Sequence, residues 1–192
     1  EPERYTAPHK GLIQVDEDRW YDPQAKDTGM HGLKDSLMVR FLIEKATQEV
    51  RQASAVFLTL GLTETWLDAE TGTVLNFAPP PLLIKKWPDR FRFFNATYAD
   101  VLDSLEGLYA LIMRKVRPDM KFVVTVSPVP LNTTFTANDV ITANTYSKST
   151  LRAAADAFCA RHDNADYFPS YEMVMSTHPD MAWKPRSEEH TS

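Results

Sequence analysis

The 192-residue chain is poor in the residues that announce most chemistries. It has a single cysteine, Cys159, so no internal disulfide can form. That thiol lies in a helical pattern and reads as buried and inert rather than as a nucleophile. There is no Lys/Arg run, and the net charge is −5, so the electrostatic footprint for nucleic acid or an anionic membrane surface is missing. No apolar run approaches the length of a membrane span. No Gly-rich dinucleotide or phosphate loop follows a strand. No Gly-x-Ser-x-Gly elbow occurs, and no His/Cys/Asp cluster has metal spacing. No cofactor is therefore expected. The chain opens at Glu1 without a methionine, so its natural N-terminus is expected to lie upstream.

What is present supports a core. Hydrophobic residues make up 43% of the chain and aromatic residues 11%, enough for one globular domain. The chain is organised around 55–66, AVFLTLGLTETW. AVFLTL reads as a strand covered on both faces. Gly61 ends it, at a turn where a side chain would collide. GLTETW reads as a tight polar turn at the carboxyl end of that strand, where open parallel sheets bind ligands.

The remaining elements follow from periodicity. Trp20 and Tyr21, before Asp22-Pro23, read as an anchor for an irregular first segment. A helix is expected over 36–52, capped by Asp35 or Ser36, with 38, 41, 42, 46 and 50 on its inner face. The proline- and aromatic-rich stretch 67–95, with a turn at 70–73, reads as a binding loop or as a packed excursion over a sheet edge. A second helix is expected over 98–116, capped by Thr97, with Leu108 and Leu111 among its inner residues. A strand at 121–127, a polar loop at 131–144, a helix at 145–161 and a strand at 165–168 complete the order. Alternating helix and strand predict an α/β fold with a parallel sheet.

The polar residues after the strands converge on one edge of such a sheet. They are Thr63, Glu64 and Thr65; Ser127 with Asn132; and Ser170 with Glu172. Hydroxyls, a carboxylate and an amide there can orient a substrate or donate to a developing oxyanion. Glu64 is expected to be buried and hydrogen-bonded, with Lys148 among its candidate partners.

TLGLTETW, TVSPVPL, TYSKSTLR and DYFPSYE, in that order, closely resemble the GSCFA family over about residues 20–175. The resemblance implies an SGNH-hydrolase-like fold: a three-layer αβα sandwich with a mostly parallel sheet, here incomplete. It implies hydrolysis or transfer of acyl esters, with a small-molecule or carbohydrate ester as partner. The alternative is a non-catalytic glycan-binding or assembly module in which Trp66, Trp87 and the nearby phenylalanines form a stacking platform. The family's Gly-Ser-Cys-Phe-Ala motif, whose serine corresponds to the SGNH nucleophile, does not occur in the chain. The place of the SGNH Asp and His is taken by the tail, RSEEHTS. The fragment is therefore expected to be truncated at both ends and inactive by itself. The domain is placed at residues 1–185, and 186–192 reads as a translated sequencing adapter, so His190 carries no weight. The candidates for a substrate and oxyanion region are Gly61, Thr63, Glu64, Trp66, Ser127, Asn132 and Lys148; the resemblance implies that 61–64, GLTE, occupy the place of the SGNH Gly-x-Asn-Asp block. Thr63 stands where SGNH proteins have an asparagine, and its hydroxyl is a weaker donor than that amide.

Overall fold

A computed structural model describes residues 11–25 and 30–178. The tail at 186–192 lies outside them. The described residues mix helix and strand, and the chain divides into two compact units. One contains residues up to Ala53 together with Thr63–Ala96; the other contains Ser54–Leu62 and the chain from Thr97 on.

The first unit holds two antiparallel sheets. β1 (Ile13–Gln14), β2 (Trp20–Tyr21) and β3 (Met30–His31) form one, in that order. α1 (Leu33–Gln48) follows, continued by a 3-10 turn over Glu49–Gln52. Arg40 of α1 ties the first segment down: its Nε and Nη2 donate to the two oxygens of Asp22 at 2.5 Å, and Nη2 also donates to Gly11 O at 3.2 Å. Tyr21 is buried, as expected of the Trp20-Tyr21 anchor. α1 departs from expectation. Its first cap is Gly32, with no side-chain hydrogen bond, and its buried residues are Ser36 and Leu37, whereas Met38 and Leu42 are exposed.

GLTETW is not a connecting turn. Glu64–Asp68 is a strand, β5, paired antiparallel with β6 (Thr73–Leu75) on one side and β7 (Phe91–Asn95) on the other. Thr65 and Trp66 favour extended backbone, and that preference decides the stretch. The turn foreseen at 70–73 joins β5 to β6, with Gly72 at φ +69. The stretch 67–95 is thus a packed excursion, with the short helix α2 (Pro81–Lys86) beginning on its proline. Ile13, Val15, Tyr21, Leu75, Leu83 and Phe91 form the unit's core, with Trp66 and Trp87 packed against it.

The second unit holds the parallel sheet, in the order β4 (Ala55–Leu60), β8 (Lys121–Val126), β9 (Ala165–Tyr167). Val56 aligns with Phe122 and Phe122 with Ala165. α3 (Tyr98–Lys115) links β4 to β8 through a capping box at Thr97 and Asp100. α4 (Val140–Arg161) links β8 to β9 and packs on both and on α3. It starts at Val140, five residues earlier than expected, because the Asp139 carboxylate caps Ile141 N and Thr142 N. α5 (Ser170–Met175) follows β9. Phe122 meets both Tyr109 and Phe158, at 5.0 and 6.3 Å, so α3 and α4 cover the same face of the sheet. Side chains alternate along β4, and the opposite face carries Phe57, 71% exposed. β4 is therefore an edge strand with one open face, not a strand covered on both. On α3, Leu102, Leu105 and Ile112 are buried, while Leu108 and Leu111 of the expected stripe are exposed. Parallel pairing holds for this sheet; the other two are antiparallel.

Candidate functional site

The parallel sheet ends in polar chain at each of its strands. Ser127 N donates to Leu60 O at 2.8 Å, and Phe168 N donates to Val124 O at 2.8 Å, so the three strand ends are held in step. Thr125 Oγ1 donates to Phe168 O at 2.6 Å and lies 2.5 Å from Ser170 Oγ. Ser170 Oγ also donates to Val126 O at 2.9 Å. The two hydroxyls have one proton each for three contacts, to Phe168 O, to Val126 O and to one another, so both are occupied within the strand ends. Ser127 Oγ accepts from Val129 N, and among the described residues no histidine is bonded to it. Among the described residues no base activates Ser127.

Lys148, one of the expected site residues, has a partner that the sequence does not show. It lies inside α4, is 2% exposed, and donates from Nζ to Gly61 O at 2.8 Å. Burial pushes its pKa down. The glycine it grips is not demanded by crowding: a Cβ built at Gly61 meets nothing within 4 Å, and its φ is not positive. The collision expected there does not exist. Asn132 lies in the exposed loop before α4. It is Asn144, missed in the sequence, that anchors this loop, through Leu131 N donating to Asn144 Oδ1 at 3.0 Å.

A second cluster of the same unit was also missed in part. Glu172 accepts from Tyr167 Oη at 3.0 and 2.8 Å and from Arg152 Nε at 2.7 Å. The Arg152 guanidinium lies 4.0 Å from the centre of the Tyr167 ring. Burial raises the Glu172 pKa, but the bonds from Tyr167 and Arg152 outweigh it and hold the carboxyl below the ordinary range. Burial, with the nearby Glu172 carboxylate, pushes the Tyr167 phenol up. Arg152 and Asp156, spaced one helical turn apart, were the available signal.

Thr63, Glu64 and Trp66 belong to the first unit. Thr63 is buried, and its hydroxyl donates to Asn95 Oδ1 at 2.6 Å. As placed, its one proton is not offered to an oxyanion. Glu64 is buried at the start of β5, opposite Asn95. Trp66 pairs with Phe93, ring centres 5.6 Å apart, and packs on the core, so it is a wall residue rather than an open platform. Asp68 was overlooked although it is fully buried. Burial raises its pKa, but Arg90, Thr71 and the Glu70 amide hold it below the ordinary range.

No helix among the described residues is long and apolar enough to cross a membrane. No curated protein and no solved structure matches the chain. The GSCFA family model matches residues 4–190, nearly the whole length. The strand-end segments that suggested this relationship lie within that match, and the chain belongs to the GSCFA family.

Proposed function

We propose that this chain carries the middle of an SGNH-like serine hydrolase or acyltransferase acting on acyl esters, those of carbohydrates among them. Both units would belong to one GSCFA domain, completed as a three-layer αβα sandwich. The observation that supports this is the parallel sheet β4–β8–β9, with Gly61, Ser127 and Ser170 at its carboxyl ends. In open α/β sheets that edge is where ligands are bound. A serine nucleophile, activated by a histidine, would attack the acyl carbonyl, and donors at the strand ends would stabilise the tetrahedral oxyanion. The Gly-Ser-Cys motif is absent from these 192 residues, so the chain alone is expected to be inactive. The test compares this chain with a version extended upstream through such a motif, using short-chain p-nitrophenyl esters and an active-site serine probe. Turnover and labelling confined to the extended protein are expected. Labelling of the present chain at Ser127 would overturn the reading.

One observation favours a non-catalytic glycan-binding module instead. A groove of about 350 Å³ in the first unit is lined by Trp87, Glu70, Asp89 and Arg90. The half-buried Trp87 ring, with Lys86 Nζ 4.9 Å and Arg90 Cζ 5.4 Å from its centre, sets an aromatic edge among charged hydrogen-bonding groups, a combination that suits a sugar ring. Quenching or shift of tryptophan fluorescence by oligosaccharides, lost in Trp87→Ala, would favour this reading. Recovering an upstream Gly-Ser-Cys motif would favour the enzyme.

A further inference from the structure

Lys148 poses a physical question that the fold does not answer. Its neighbours on the buried side of α4 include Leu151, Ala154 and Ala155, and an apolar side chain would fit such a face without the cost of burying a charge. The ammonium has three N–H donors, and the structure gives it one acceptor, the neutral carbonyl of Gly61. Among the described residues, no carboxylate is paired with it, and burial alone acts on its charge. A buried cation held by one carbonyl has both charge and hydrogen-bonding capacity to spare.

The surroundings supply an approach. Gly61 and Leu62 are exposed, and the space over the Gly61 Cα is open to at least 4 Å. Neither backbone conformation nor packing requires glycine there. A glycine in that position lets a ligand come against the backbone. Nζ lies 2.8 Å from the carbonyl oxygen of the same residue and more than 4 Å from a Cβ built there.

We propose that Lys148 anchors a small-anion site at the end of β4, taking a carboxylate or phosphate group that enters over Gly61. The site needs no nucleophile and does not depend on the ester-hydrolase reading. Its test reads binding, not turnover, so the two can fail separately.

The experiment titrates the 192-residue protein with inorganic phosphate and, separately, with acetate, at an ionic strength matched with chloride. The Cε–Hε resonances of Lys148 and the Gly61 amide are followed by NMR, and the thermal midpoint is measured in parallel. A saturable shift of both residues with one anion is expected, together with a raised midpoint that is lost in Lys148→Met. The responding anion identifies the ligand class. Resonances unmoved by either anion, or an equal midpoint gain in Lys148→Met, overturn the site and leave Lys148 as a clamp on Gly61 alone. Gly61→Leu covers the case in which Lys148→Met does not fold. It obstructs the approach without touching the clamp, and should weaken anion binding at least tenfold; unchanged affinity in Gly61→Leu overturns the proposal.

Discussion

Arg90 closes on Asp68 through two parallel hydrogen bonds, Nε to Oδ1 and Nη2 to Oδ2, both 2.8 Å. Asp68 is fully buried at the end of β5, and Arg90 immediately precedes β7, so this fork joins the ends of neighbouring strands. Asp68→Asn removes the buried partner of the fork and leaves the guanidinium only the exposed Glu70 carboxylate, 2.7 Å from Nη1. Breaking a buried pair from one side costs about 3 kcal/mol, and Glu70 offsets part of that. Urea unfolding followed by tryptophan fluorescence checks this, and a loss of only a few tenths would show that the fork carries little.

The same carboxylate sets a pH dependence. Its native pKa lies below the ordinary value, so the unfolded chain takes up the proton first as acid is added. The contribution is complete above about pH 4, the unperturbed carboxylate range, and fades as pH falls through the depressed native pKa. The drop in unfolding free energy between pH 5 and pH 3 should be smaller in Asp68→Asn than in the parent. Parallel curves would remove Asp68 from the account.

Phe57 is 71% exposed on the open face of an edge strand. Phe57→Lys should change stability by under about 0.5 kcal/mol, as surface substitutions do. It should also reduce self-association, because a charge on an apolar edge blocks strand-to-strand pairing. Light scattering against concentration is the measurement; unchanged association would mean that the edge is not sticky.

Thr97 caps α3 by accepting from Asp100 N at 3.4 Å, while Asp100 Oδ2 accepts from Thr97 N at 2.8 Å. Thr97→Ala should cost about 1 kcal/mol. Thr97→Ser, which keeps the oxygen, should recover most of it. Equal losses in the two variants would assign the effect to the lost methyl rather than to the cap.

The parallel sheet, the Thr97 cap and the Trp20-Tyr21 anchor were legible because each rests on local pattern: a β-branched run, a hydroxyl before an apolar helix, an aromatic pair before Asp-Pro. β5 was not. ETWLD has the alternation of a strand, but its polar opening beside Gly61 resembled a turn, and only its partners at 73–75 and 91–95 decide the matter. The inner stripe of α1 failed for a related reason, since periodicity marks an apolar face but not what covers it. Of the candidate site, Lys148 is one of several partners the sequence offers for Glu64; the acceptor its Nζ has in the structure is a backbone carbonyl, which a sequence does not display. Glu172 was in view from the start, but its ties to Arg152 and Tyr167 depend on the return of β9 beside α4.

The clasp at Thr63 has a consequence for how the chain is assembled. Between β4 and α3 the polypeptide departs on a long excursion, yet Thr63 O accepts from Ala96 N at 2.8 Å, and Thr63 Oγ1 reaches Asn95, 32 positions along the chain. Loop-closure entropy grows by about 0.6 kcal/mol per doubling, so a segment of that length closed to a two-residue gap saves about four doublings, about 2.4 kcal/mol. Once β5, β6 and β7 have folded, β4 and α3 meet as though joined by a short linker. The pairing of Ala55 with Lys121 gains less, since leaving out the excursion roughly halves the intervening chain, one doubling or about 0.6 kcal/mol. The excursion works as a stitch, drawn tight by one threonine, that shortens the effective chain between β4 and α3.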